Sequence, residues 1–241
     1  MGLPKLNVPT YSVTLPSTGK TIRVRPFLVK EEKMLLMAAQ SKDPADIINT
    51  TKQIITNCLI DDDVNVDSIP FFDVDYLFIA LRAKSISESI EVQFTCNHKT
   101  DDNKCGAVFE VNLDIANVAI VKDDTILNRV SITDKVAVQF KYPKYSAVKK
   151  ILSGENAFEH KTKLIQASID CIIDGENIYQ ANEYSKEDFD EFFDNLTKSQ
   201  LENLEVWVDN FPSFEVKAEK TCPRCGFEHK LKYRDFNSFF L

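Results

Sequence analysis

Four of the six cysteines fall in two short stretches far apart in the chain, and both stretches are built alike. FTCNHKTDDNKCGAVFE places eight residues between Cys96 and Cys105, with Gly106 next. KTCPRCGFEH places two residues between Cys222 and Cys225, with Gly226 next. Each pair sits where one strand-like segment ends and another begins. The glycine lets the backbone turn tightly enough for amide groups to face the thiolate sulfurs. Two such turns facing each other make a tetrahedral site of four thiolates, the geometry of a zinc ribbon. Cys96, Cys105, Cys222 and Cys225 are therefore the candidate ligands of a structural zinc ion. CPRCG carries the stronger signal, and TDDNK reads as a polar insertion at the tip of the other loop. His98 is an alternative to Cys96, and His229 an alternative to any of the four. The competing readings are four reduced thiols without metal, which would be open to oxidation, and a disulfide between Cys222 and Cys225. Four protein ligands leave no open position for water or substrate, so the site would be architectural.

The remaining two cysteines, Cys58 and Cys171, read as lying in helical, apolar surroundings. Without a secretion signal, six cysteines in 241 residues point to reduced thiols or metal ligands rather than a disulfide framework. The length suits one large domain or two small ones. Hydrophobic residues at 44% and charged residues at 27% describe a soluble globular chain. The net charge of −8 argues against a general electrostatic grip on nucleic acid or an anionic membrane. No apolar run approaches the roughly 20 residues of a membrane-spanning helix. The initial MGLPKLNVPTYSV has no apolar signal segment. It also places Leu6 where a myristoylation signal needs Ser or Thr.

Two strands, YSVTL and TIRVRPF, flank a turn containing Gly19. Helical periodicity follows in FLVKEEKMLLMAAQ, then in SKDPADIINTTKQIITNCLI, with Asp43 as N-cap and Pro44 at the first helical position. FFDVDYLFIALRAKSIS is a third helix, and strands lead into Cys96 and out of Cys105. The second half repeats the order. VAVQFKYP parallels TIRVRPF, AFEHKTKLIQASIDCIIDG parallels the helix ending in NCLIDD, and strands flank the second cysteine pair. Ser185 and Thr197 are N-cap candidates for two further helices. The expectation is an α+β fold of two similar halves, 1–117 and 118–241, joined by the four-cysteine site. A diverged duplication would relate residues 10–117 to 125–236, with chance similarity as its rival.

Catalytic signatures are missing. GKT at Gly19–Thr21 lacks the upstream glycine of a phosphate loop, having Thr14 there, and lies between strands. HExxH and GxSxG do not occur. Of three histidines, His98 and His229 adjoin the cysteine pairs, and His160 reads as a surface residue. The carboxylates of EDFDEFFD read as the solvated face of an amphipathic helix, opposite Phe189, Phe192 and Phe193. Lys217, Lys220, Arg224, Lys230, Lys232 and Arg234 make the second cysteine hairpin locally basic. Glu215, Glu219, Glu228, Asp101 and Asp102 dilute that charge.

LPSTGK (15–20), RPF (25–27), KEEK (30–33) and LRAK (81–84) together resemble a known family, in a stretch running from the first hairpin to the strand before Cys96. It is the baseplate hub assembly family of T-even-type tailed bacteriophages. The resemblance implies a non-enzymatic role in contractile-tail assembly, as a hub component or a factor needed to build the hub. It implies other hub and tail proteins as partners, the tape measure protein among the candidates. The place of action would be the host cytoplasm during assembly or the finished tail, with no catalytic residues to carry over. The alternative class is a zinc-ribbon nucleic-acid-binding regulator. Seventeen phenylalanines against six glycines leave apolar surface for partners. Phe71 and Phe72 read as core, and the terminal FNSFFL as a docking element.

Overall fold

The computed structural model describes residues 6–41, 44–61, 63–100, 103–152 and 157–234. In chain order the elements are β1 (Tyr11–Thr14), β2 (Thr21–Val24), α1 (Val29–Ser41), α2 (Pro44–Cys58), α3 (Phe71–Ser85), β3 (Ser89–Thr95), β4 (Lys99–Thr100), β5 (Asn103–Lys104) and β6 (Val108–Asp114). Then come β7 (Ala119–Val121), β8 (Arg129–Ser131), β9 (Val136–Phe140), α4 (Tyr145–Leu152), α5 (Ala157–Ser168), β10 (Ile169–Asp174) and β11 (Asn177–Gln180). The last are α6 (Lys186–Asp194), α7 (Lys198–Asp209), β12 (Ser213–Thr221) and β13 (Glu228–Tyr233). The fold is mixed helix and sheet, as the periodicities predict. The chain forms two compact units. One comprises residues up to Val66, Phe72–Val121 and Ser213 onward; the other comprises Asp67–Phe71 and Lys122–Pro212.

In the first unit β1 and β2 form an antiparallel hairpin that pairs Val13 with Ile22. Both are buried, while their neighbours along each strand face outward. After the pair α1 and α2 the chain returns to this hairpin. Leu59 bridges Val24, Arg25 N–H donates to the Cys58 carbonyl, and Ile60 N–H to that of Arg23. Helix α3 buries Val74, Leu77, Phe78, Ile79 and Leu81. Those positions cover one broad side of the helix, and Asp75, Tyr76 and Ala80 on the other side are half-buried, so α3 has no fully solvated face along its middle. Polar ties hold the surrounding pieces to it. Asp73 in its first turn accepts from Ser17 N–H at 3.0 Å and from the Ser17 hydroxyl. Ser85 in its last turn accepts from Phe27 N–H at 2.7 Å. Arg25 donates to Glu31 at 3.0 and 3.2 Å, and Glu31 also takes the Leu28 N–H at 2.9 Å ahead of α1.

In the second unit the sheet order is β11-β10-β9-β8, antiparallel throughout. The β8–β9 hairpin leads into α4 and α5, and the chain returns as β10 against β9, with Lys141 N–H on the Ser168 carbonyl. Val138, Phe140, Ile165, Ile169, Leu204, Trp207 and Val208 form the core. Trp207 stacks on Phe140 with ring centroids 4.4 Å apart. Helices α6 and α7 begin with complete capping boxes, Ser185 with Asp188 and Thr197 with Gln200. Phe189, Phe192 and Phe193 pack toward the core from α6, as expected of an amphipathic helix. Cys171 departs from expectation: IDCIIDG forms strand β10, not helix. The run is short and apolar, and β9 supplies a ladder for it. Phe72 is buried, and Phe71 packs on Phe211 at 5.2 Å. Asp43 and the terminal FNSFFL lie outside the described residues.

The Arg25–Glu31 pair generates a prediction. Burial raises the Glu31 pKa, but hydrogen bonds from Arg25 and Leu28 outweigh it and hold the carboxyl below its ordinary value. A depressed carboxylate stabilises the fold above the unfolded pKa and loses that contribution as pH falls through the folded one. Arg25→Ala leaves buried Glu31 with only the Leu28 amide and the exposed Lys30 at 3.4 Å, at a cost of about 3 kcal/mol near neutral pH. In the variant Glu31 regains stability by taking a proton. The deficit in urea unfolding should therefore narrow from pH 7 to pH 4, and a deficit independent of pH would contradict the assignment.

Candidate metal centre

The two cysteine turns close two hairpins of the first unit. β3 pairs with β6 from Ser89↔Asp114 to Thr95↔Val108. β12 pairs with β13 from Val216↔Tyr233 to Thr221↔Glu228, and its other end pairs with β7. The turns carry the same hydrogen bonds. Cys96 N–H donates to the Ala107 carbonyl at 2.8 Å, and Gly106 N–H to that of Cys96 at 3.0 Å. Cys222 N–H donates to the Phe227 carbonyl at 2.9 Å, and Gly226 N–H to that of Cys222 at 3.0 Å. Both glycines have positive φ, 66° at Gly106 and 72° at Gly226. In the longer first turn Lys99–Thr100 and Asn103–Lys104 pair as the small hairpin β4–β5. Cys105 N–H closes it onto the His98 carbonyl at 2.8 Å.

The four sulfurs converge within 4.8 Å of one another. Pairing is reciprocal: Cys96 Sγ lies 3.8 Å from Cys225 Sγ, and Cys105 Sγ lies 3.8 Å from Cys222 Sγ. Four sulfurs set tetrahedrally about 2.3 Å from a zinc ion stand about 3.8 Å apart. The first cysteine of each turn is buried and the second half-buried. Arg224 also reaches across, donating to the Cys105 carbonyl at 3.1 Å. Cys58 and Cys171 are buried elsewhere, and burial pushes the Cys58 thiol up to about 11.

Considered as thiols, the four are unequal. Burial acts to raise Cys222, but the amides of Cys225 and Arg224 point at its sulfur and bring it down to about 6. Burial, with hydrogen bonds to the other three thiols, pushes Cys96 up to about 12. One thiolate forms readily, and its charge opposes the rest. A dication at the centre removes that opposition, so the donor set and its amides fit a metal.

The histidines are placed differently from one another. His229 is buried, with Nε2 3.2 Å from Cys96 Sγ. Its ring meets Phe94 at 5.0 Å and Phe227 at 4.9 Å. The four sulfurs already make a complete donor set without it, and the ring lies behind the Cys96 sulfur at hydrogen-bond distance, its role as donor or acceptor set by its tautomer. His98 stacks on Phe227 at 4.1 Å. The burial of His229 has a sequence signal: alternation in EHKLKY puts it on one face with Leu231 and Tyr233. The local basic charge is largely engaged. Arg234 and Lys217 pair with buried Glu215, at 2.6 and 3.4 Å, and Lys230 meets Glu219 at 4.0 Å.

The family described as T4 bacteriophage base plate protein matches residues 8–241. The chain belongs to that family. It is a T4-type baseplate protein, a structural component of the phage tail that associates with other tail proteins. No curated protein and no solved structure matches it. Among the described residues no helix is long and apolar enough to cross a membrane.

The shared corner geometry can be tested directly. Gly226→Ala places a Cβ at positive φ with nothing within 4 Å to clash, so its cost is backbone strain alone. Thermal unfolding should show a loss of about 1–2 kcal/mol, smaller for Gly226→Asn. Equal stability of both variants and the wild type would contradict the corner.

Proposed function

We propose that the protein is a non-enzymatic component of the central hub of the baseplate, or a factor needed to assemble that hub. It binds other hub and tail proteins, the tape measure among the candidates, in the host cytoplasm and then in the tail. Cys96, Cys105, Cys222 and Cys225 hold a structural zinc ion in this reading. The baseplate family match across nearly the whole chain carries the role. The reciprocal 3.8 Å sulfur spacings carry the zinc. The closed donor set favours architecture over catalysis, because it leaves a metal no open position. Residues beyond Arg234, including the terminal FNSFFL, are proposed as a docking element for these partners.

We infer in addition that residues 10–117 and 125–236 descend from a duplication. Each contains a hairpin, two helices, and a segment returning antiparallel to the second hairpin strand. Each ends in a cysteine hairpin with the same four-point turn. Cys58 and Ser168, whose carbonyls take the Arg25 and Lys141 amides, occupy matching places in this scheme.

Gently purified protein should contain about one equivalent of zinc by elemental analysis, and chelation should lower its melting temperature. Cys225→Ser should lower both the zinc content and the melting temperature. Less than about half an equivalent would overturn the zinc reading. For the role, co-expression with the other tail proteins of the same phage should yield a stable complex containing hub proteins. A complex made only of peripheral baseplate proteins would reject the hub assignment.

A further inference from the structure

The second unit leaves one end of its apolar layer open. Where the sheet runs out, a groove of about 340 Å³ lies between Val136, Ile172 and Tyr179 on the strands and Phe189 and Phe192 on α6. Its ionisable rim consists of Asp174, Asp188, Glu191 and two tyrosines, with no cation. The local chain intensifies that sign: residues 174–194 hold eight carboxylates against the single Lys186. Asp188 already caps α6, whereas Asp174 and Glu191 stand at the groove mouth without an ion-pair role there.

Strand β11 borders the groove and is an edge of its sheet. Among the described residues it pairs only with β10. All four of its residues are exposed, Ile178 to 60%. Its sequence, NIYQ, has none of the lysines or prolines that commonly blunt an edge against further pairing. An exposed edge with unpaired backbone groups, next to a pocket for a side chain, is the arrangement used when a partner adds a strand.

We propose that this edge and groove receive an extended segment of another polypeptide, one that carries a bulky apolar side chain with lysine or arginine two residues away on the same face. The backbone adds to β11. The apolar side chain enters between Tyr179 and Phe192, and the cations meet Asp174 and Glu191. The charge of the rim selects this occupant: an acidic segment would meet only like charge, and nucleic acid would be repelled. The proposal stands apart from the zinc and hub readings, since none of its residues touches the cysteine centre.

The probe is a fluorescein-labelled peptide repeating lysine-threonine-leucine-threonine, which sets lysine and leucine on one face of an extended chain, titrated against the full chain. Two control peptides replace leucine by serine and lysine by glutamate. Saturable binding of the first is expected, with both controls weaker by about fivefold or more. Glu191→Lys should weaken the lysine–leucine peptide about as much. This exposed substitution should leave the melting curve unchanged. Tyr179→Ser should weaken the same peptide while sparing the residual binding of the serine control. Equal binding of the serine peptide would reduce the site to charge attraction and overturn the proposal. Insensitivity to Glu191→Lys would overturn it too. A self-associated wild type that Glu191→Lys turns into monomer would assign the face to a second copy instead.

Discussion

The first unit depends on the meeting of its two cysteine turns. The chain leaves that unit after Val121 and re-enters it at Ser213, and those two residues are paired between β7 and β12. The returning segment must find partners laid down roughly 90 to 130 residues earlier, from Val121 opposite Ser213 to Cys96 beside Cys225, which is entropically costly to arrange. The sulfur cluster meets that cost at the far end of the same strand, where Cys222 and Cys225 reach Cys105 and Cys96. A cross-link closing about 100 residues is worth on the order of 4–5 kcal/mol in the chain-entropy picture. That exceeds the Arg25–Glu31 pair and is comparable to the whole net stability of a small domain. In the proposed zinc reading, a metal tying the four sulfurs would add such a cross-link to the β12–β7 pairing that already holds the C-terminal hairpin.

The stretches that carry the family resemblance have a second, physical meaning. LPSTGK supplies Ser17, which binds Asp73 on α3. RPF supplies Arg25, which binds Glu31 of KEEK, and Phe27, whose amide reaches Ser85 just beyond LRAK. The four motifs thus tie hairpin, first helix and central helix into one frame. Helix α3 is buried or half-buried on every side along its middle, so hydrophobic burial alone would tolerate several rotations and shifts of it. Polar partners in a low-dielectric setting do not, because a misplaced carboxylate such as Glu31 loses its hydrogen bonds and keeps its desolvation cost.

Local signals in the sequence translated well. The Ser185 and Thr197 caps, the hairpin turn at Gly19 and the helix start at Pro44 need only neighbours a few residues away. The cysteine grammar was legible because thiolate geometry restricts spacing and demands the following glycine. What stayed hidden depends on distant partners. Cys171 became a strand residue because β9 stands beside it, and nothing inside IDCIIDG distinguishes buried strand from buried helix. The tie between Ser17 and Asp73 spans residues with no shared pattern. The groove beside β11 arises between a sheet edge and α6, a juxtaposition that a one-dimensional reading cannot register.

The unequal cysteine turns indicate what the site requires. Eight intervening residues and two give the same bonds at Cys96 and Cys222, and the same φ sign at Gly106 and Gly226. The β4–β5 excursion is absorbed between the His98 carbonyl and the Cys105 amide, outside the corner itself. Sulfur placement is therefore fixed by the strand pair entering each turn and by the glycine leaving it, while loop length is free. It follows that TDDNK can vary in length and charge without moving a sulfur, whereas a Cβ at either glycine strains a corner that holds two. The second turn, with no slack between Cys222 and Cys225, holds its sulfur most firmly: Arg224 and Cys225 amides both face Cys222.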